Sequence, residues 1–111
     1  MRTRFIILWL TMLLCGLGAH AEKPHTEAVN LKAADGVAVF GTYYKADKPK
    51  ALILLFHQAE SSADEYAVIA PRLVKAGYSA MAIDQRSGGG MFGRDNQTAK
   101  QYGKKAEYLD A

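Results

Sequence analysis

Residues 51–90 read ALILLFHQAESSADEYAVIAPRLVKAGYSAMAIDQRSGGG. Ala51 to Phe56 is wholly apolar and follows the polar turn Asp47-Lys48-Pro49-Lys50. A continuous apolar run of that length suits a central parallel strand with helices on both faces. Ser62-Ala63-Asp64-Glu65 then has capping-box spacing, in which the Ser62 hydroxyl accepts from the amide of residue 65 and the Glu65 carboxylate reaches back to the amide of Ser62. A helix is expected from there. Tyr66, Ile69, Ala70, Leu73 and Val74 fall on one apolar stripe, with Arg72 and Lys75 off it, and Gly77 is a natural stop. Pro71 is the misfit: inside a helix it lacks a donor and clashes with the carbonyl four residues back, at about 3 kcal/mol. A kink or a restarted helix is therefore expected at Pro71. Ser79 to Ile83 is the next apolar strand, which a right-handed crossover lays parallel to the first. The whole is one βαβ unit with His57, Asp84 and Arg86 at the strands' carboxyl ends, where open α/β sheets bind ligands.

Upstream, Ala28 to Leu31 and Val37 to Tyr44 read as two strands around Ala34-Asp35-Gly36, since Asp-Gly supplies the positive φ angles of a tight hairpin turn. Both faces of the second strand are fairly apolar, which places it inside a covered sheet. Downstream, Gln97 to Ala111 favours helix, with Tyr102, Ala106 and Leu109 on one side. The fold class is therefore α/β: an N-terminal hairpin, a βαβ unit with parallel strands, and a C-terminal helix.

The 111-residue chain allows one small domain, and its first residues are not part of it. Arg2 and Arg4 precede an apolar run from Phe5 to Cys15, followed by Ala19-His20-Ala21, the pattern of a signal peptide cleaved after Ala21. The run is short for a transmembrane helix, which needs roughly 20 apolar residues. Residues 1–21 are accordingly read as a signal peptide and 22–111 as the domain, with a periplasmic or extracellular location and no membrane span after cleavage. The alternative is a lipid anchor through Cys15, although lipoprotein signals want a small residue where Leu14 stands. Of 14 basic residues, losing Arg2 and Arg4 leaves 12 against 11 acidic ones, a net of +1. That balance gives no reason to expect nucleic acid as a partner. The mature part carries no cysteine for a disulfide, so about 90 residues must hold together by burial alone, which is marginal at this size.

The strand Leu52 to Phe56 ending in His57, the helix ending in Ala76-Gly77-Tyr78 and the strand running into Asp84-Gln85-Arg86-Ser87-Gly88-Gly89 together resemble the N-terminal half of the α/β-hydrolase core. The likeness is to dienelactone-hydrolase-like and serine-peptidase-like esterases, and it covers roughly residues 26–111. The resemblance implies that His57, Gln58 and Ala59 lie in the loop after the third strand, where backbone amides form part of the oxyanion hole. Gln58 and Ala59 are the candidate donors. Gln58 departs from the pattern, which has glycine there. His57 itself is expected to order this loop by hydrogen bonds rather than act as a general base. Asp84 and Arg86 are expected to pin adjacent loops through charge-assisted hydrogen bonds.

Two other motifs weigh less. Gln85-Arg86-Ser87-Gly88-Gly89 matches the end of G-x-S-x-G, but the first glycine is missing and more glycine stands where a helix should begin, so Ser87 is not expected to be a nucleophile. Gly88 to Gly93 satisfies G-x-G-x-x-G, but it does not open a helix directly after a first strand, and a flexible rim loop is the ordinary reading. Two mature histidines about thirty residues apart give no metal site, and no cofactor is expected. In the family the triad runs serine, acid, histidine along the chain, whereas His25 and His57 both precede Ser87. The expectation is the N-terminal portion of an exported serine hydrolase acting on ester or peptide-like acyl bonds, truncated before its nucleophile elbow and inactive as this chain. Its small acyl substrate would need the missing half. The alternative is a non-catalytic secreted α/β binding module. In the family's order the Ala51–Phe56 strand pairs with a fifth strand, so here its edge would be open to self-association.

Overall fold

A computed structural model describes residues 23–93 and 95–103, which form a mixed four-stranded sheet flanked by short helices. The strands are β1 (His25–Lys32), β2 (Ala38–Lys45), β3 (Leu52–Phe56) and β4 (Ser79–Ile83), in sheet order β1-β2-β4-β3. The hairpin strands are antiparallel to each other, β2 is antiparallel to β4, and β3 is parallel to β4 with Leu52 opposite Ser79 and Phe56 opposite Ile83. The helices are α1 (Ile69–Lys75) and α2 (Gln97–Tyr102). This is the α/β class with hairpin and βαβ unit in the order the sequence implies. The signal-peptide region, Cys15, Ala106 and Leu109 lie outside the described residues. Among the described residues no helix is long and apolar enough to cross a membrane.

The hairpin forms around Asp35-Gly36, but with a wider loop than a two-residue turn. The Ala33 amide donates to Val37 O and the Gly36 amide to Ala33 O, and only Gly36 takes a positive φ, +88°. The Asp35 carboxylate accepts from the Val37 amide at 3.1 Å, an Asx-type bond that makes the extra residue tolerable. β2 lies inside the sheet as expected, although most of its residues are half-buried rather than covered.

The capping box does not close. Ser62 Oγ accepts from the Asp64 amide at 3.3 Å, and residues 63–66 make a single 3-10 turn. The Glu65 carboxylate turns instead to the amide of Gln58, at 3.2 Å. The chain restarts as α1 at Ile69, so Pro71 falls in the first helical turn, where the missing donor has no intrahelical partner to lose. α1 ends in a Schellman motif: the Tyr78 amide donates to Leu73 O, the Gly77 amide donates to Val74 O, and Gly77 has φ +94°. Ala70, Leu73, Val74 and Tyr66 pack on the sheet, whereas Ile69, on the same predicted stripe, is 47% exposed. α2 stops at Gly103, in left-handed conformation at φ +66°, so the predicted helix from Gln97 breaks there.

The sheet is covered unequally. On the α1 side, Ala80 and Ala82 are fully buried beside Tyr44, Ala63 and Ala70, with Leu55 against them. On the opposite side, Leu52, Leu54 and Phe56 of β3 are 50%, 52% and 53% exposed, and Leu31 of β1 is also bare. The reading of β3 as a central, doubly covered strand is thus corrected. Among the described residues it is an edge strand with one covered face, because an apolar run records the capacity to be buried and not which neighbours supply the burial.

Gly41 sits opposite Ile83 in the closest part of the β2–β4 pairing. A Cβ there would overlap Ala82 O and stand 3.1 Å from Ile83 Cα. Gly41→Val should therefore push β2 off β4 and lower stability by about 1–3 kcal/mol, read as a fall in the urea midpoint. An unchanged midpoint would show that the two strands are not this close.

Candidate functional site

The carboxyl ends of the two parallel strands leave backbone groups that no further ladder satisfies, and buried polar side chains take them up. β3 delivers His57, 5% exposed, directly after Phe56. Its Nε2 accepts from the Gln85 amide at 2.8 Å, which assigns the proton to Nδ1, and Nδ1 donates to the Gln58 carbonyl at 2.7 Å. One ring thus ties the loop after β3 to the loop after β4. With both nitrogens engaged, it has no free lone pair to accept a proton from a substrate.

β4 delivers Asp84, also 5% exposed. Its Oδ1 accepts from the Ala63 amide and its Oδ2 from the Gln97 amide, each at 2.8 Å, while its own amide donates to Phe40 O. One carboxylate thereby anchors the 3-10 turn and the start of α2. Asn96, buried at 4%, completes the cluster. Its Oδ1 caps α2 by accepting from the Ala99 amide at 2.7 Å, and its Nδ2 donates to Ser61 O and Gln85 O and lies 3.2 Å from His57 Nε2. Thr98, fully buried, accepts from the Phe40 amide at 2.9 Å, where β2 has outrun β4. Gln85 Oε1 is a buried acceptor without a partner among the described residues.

Two loops face each other across this cluster. The Gln58 carbonyl is drawn inward by the His57 ring and by the Ser61 amide. Because the peptide is trans and planar, the Ala59 N–H points the opposite way, away from the ring. The Gln58 amide is held by Glu65. Glu60 takes a left-handed φ of +66°, fixed by its amide donating to Ser87 O and its carbonyl accepting from the Met91 amide. Gly88 lies so close under Asn96 and Ser61 O that a Cβ would overlap both. The glycine loop is therefore laced to residues 58–62, not a free rim, and Ser87 lies in its turn with its carbonyl taken by Glu60.

Arg86 does not meet Asp84. It reaches Asp35 in the β1–β2 turn with two parallel bonds, Nη1 to Oδ2 at 2.6 Å and Nη2 to Oδ1 at 2.7 Å, and its guanidinium lies 5.2 Å from the Tyr102 ring centroid. The hydrogen bond from Arg86 is the main reason the Asp35 carboxyl is held below its usual range. A shallow cleft of about 400 Å³ opens beside these residues, lined by Val39, Phe56, Ile83, Gln85, Arg86 and Thr98 among others.

The sequence singled out His57, Gln58, Ala59, Asp84 and Arg86, and the first four meet around the paired loops while Arg86 serves the hairpin. It missed Asn96, Thr98, Asp35 and the diversion of Glu65. Asn96 carried a local signal, since an Asn directly before a helical stretch is a preferred N-cap. Nothing local marked its reach to Ser61 and Gln85.

No protein-family model matches this chain, and no curated protein matches it. Among solved structures, an esterase of Pyrococcus furiosus is similar, with a TM-score of 0.48 and 22% sequence identity. The alignment covers 72% of this chain and 33% of the esterase, so the chain spans about a third of that protein's length.

Asp84→Asn keeps the shape but turns an NH₂ toward one of two buried amides, and it should lower stability by about 1–3 kcal/mol in urea unfolding. Retained stability would show that one of the two bonds contributes nothing. For Asp35, a folded-state value below the unfolded one near 3.8 means that its stabilisation is present above that pH and is lost as pH falls through the folded value. Arg86→Met should remove that part of the acid-induced loss below about pH 4, and an unaltered acid limb would show that the pair does not couple to folding.

Proposed function

We propose that this chain is the N-terminal part of an exported serine hydrolase of the α/β-hydrolase kind, with residues 1–21 as signal peptide and residues 22–111 as the opening half of the domain. Its substrates are ester or peptide-like acyl compounds. The observation that carries this reading is the position of β3. It stands parallel to β4 at the outer end of the sheet, beyond the hairpin and β4, with His57 at its carboxyl end. In the resembled family the third strand stands there and a fifth strand, which leads to the nucleophile, pairs with its other edge. The half-bared Leu52, Leu54 and Phe56 fit a strand that awaits such neighbours.

In this reading the residues described above hold the electrophilic side of the site. His57 is a positioning residue: by fixing the Gln58 carbonyl inward it presents the Ala59 amide outward. An attacking hydroxyl adds to the acyl carbon, the carbonyl oxygen takes the negative charge, and the Ala59 N–H donates to it. A preset amide of this kind is worth about 3–4 kcal/mol in the transition state. The Gln58 amide joins only if Glu65 releases it. The hydroxyl and the base that accepts its proton come from outside residues 1–111.

The 111-residue chain should neither hydrolyse p-nitrophenyl esters nor be labelled by a fluorophosphonate. The product of the longer reading frame, extended through its G-x-S-x-G, should be labelled at that serine, and Ala59→Pro, which removes the amide donor, should slow labelling about 10²-fold or more. Labelling at Ser87, or a reading frame that closes at codon 111 with no such segment, would overturn the proposal in favour of a binding module.

A further inference from the structure

The outer edge of β3 is specific enough to name what pairs with it. The Ser79 amide donates to Ala51 O, so by the alternation of a ladder Ala51, Ile53 and Leu55 turn their N–H and C=O groups to β4. Leu52, Leu54 and Phe56 turn theirs outward. Among the described residues no strand meets that edge, and the only side chain shown on it is Tyr66, whose hydroxyl donates to Phe56 O at 2.5 Å. The same three residues carry the half-exposed side chains of the bare face. Edges of this kind are normally blunted by lysine, proline or a bulge, and Leu52 to Phe56 has none.

We infer that in the 111-residue chain this edge is paired with a second copy of itself, antiparallel, about a two-fold axis at Leu54. The register follows from the outward groups. Leu54 faces Leu54 of the second copy and exchanges both bonds with it, and Leu52 faces Phe56 in each direction, so all three outward residues are used. Slipping the register by two residues leaves one of the three unpaired. Tyr66 gives up Phe56 O to the incoming Leu52 amide.

Charge selects the antiparallel sense. The segment entering β3 carries Lys48 and Lys50 against Asp47, while the segment leaving it carries Glu60, Asp64 and Glu65 with no Lys or Arg between His57 and Pro71. Lys50 is already engaged by Ala76 O and the Tyr78 ring. Exposed Lys48 lies just before the strand and exposed Glu60 just after it, so an antiparallel pairing brings the basic end of each copy toward the acidic end of the other. A parallel pairing would set the acidic ends side by side and would not close on a two-fold. The two Leu52, Leu54 and Phe56 triads become neighbours on one face of a continuous eight-stranded sheet, which covers their lateral flanks. This inference concerns the chain as it stands and does not rest on the hydrolase reading.

Sedimentation of the purified full chain tests it. The expected result is a discrete species of twice 12.1 kDa at micromolar concentration. Leu54→Pro removes an outward donor and leaves the β3–β4 ladder whole, so it should give a monomer with unchanged circular dichroism. If that variant loses its secondary structure, the charge pair decides. Lys48→Glu and Glu60→Lys should each weaken the dimer about tenfold, and combining them should restore it. A monomer at roughly 100 µM, open-ended assemblies without a discrete dimer, or no rescue in the combined variant would each overturn the inference.

Discussion

The parallel pair β3–β4 ends in a place where backbone amides and carbonyls must be satisfied without water, and the rest of the described structure is arranged to do so. Asp84, His57 and Asn96 are the means. Each binds groups from two segments distant in sequence: Asp84 joins the 3-10 turn to α2, His57 joins the loops after β3 and β4, and Asn96 joins α2 to both loops. A buried carboxylate needs hydrogen-bond donors, and each oxygen of Asp84 has one, from the Ala63 and Gln97 amides. Removing any one of the three would strand its own buried backbone partners.

This dependence is heavier because the apolar core is thin. Among the described residues the buried hydrophobic ones are five alanines and Tyr44, and the largest fully buried side chains are Thr98, Ser61, Ser62 and Ser79. Ser79 Oγ accepts from the Ala46 amide, Thr98 Oγ1 from the Phe40 amide and Ser62 Oγ from the Asp64 amide. Small polar residues therefore close the ends of strands where larger apolar ones would fill volume. Hydrogen bonds of this sort stabilise modestly but penalise their own loss strongly, so they specify one loop arrangement more than they raise overall stability. Leu52, Leu54 and Phe56, meanwhile, stand on the uncovered face.

What was legible in the sequence was local. The hairpin, the two apolar strands, the helix restart that puts Pro71 in a first turn and the stop at Gly77 each follow from a few adjacent residues, and Gly36 and Gly77 both take a positive φ. Failures came where two acceptable partners compete. Glu65 has the spacing to cap Ser62, yet its carboxylate accepts from the Gln58 amide, a rivalry that no spacing rule contains. Arg86, expected to pin an adjacent loop, reaches instead the β1–β2 turn at Asp35, 51 residues away. Leu52 to Phe56 is apolar on both faces, the pattern of a central strand, yet the structure covers only Ile53 and Leu55.

That mismatch between pattern and coverage is itself informative. A sequence with one solvated sheet face would alternate along β3, as antiparallel surface strands do, and Leu52, Leu54 and Phe56 would be polar. They are half-exposed rather than fully so, since β4 covers one flank of each and the outer flank stays bare. A strand added at the edge covers that outer flank and satisfies the outward backbone groups, but it leaves the tips of the side chains uncovered. Helices laid on the face would cover the tips but leave the edge unpaired. Composition therefore asks for both, a neighbouring strand and a covering layer, and a second copy supplies only the first. The bare tips of Leu52, Leu54 and Phe56 are the part of the pattern that edge pairing does not explain.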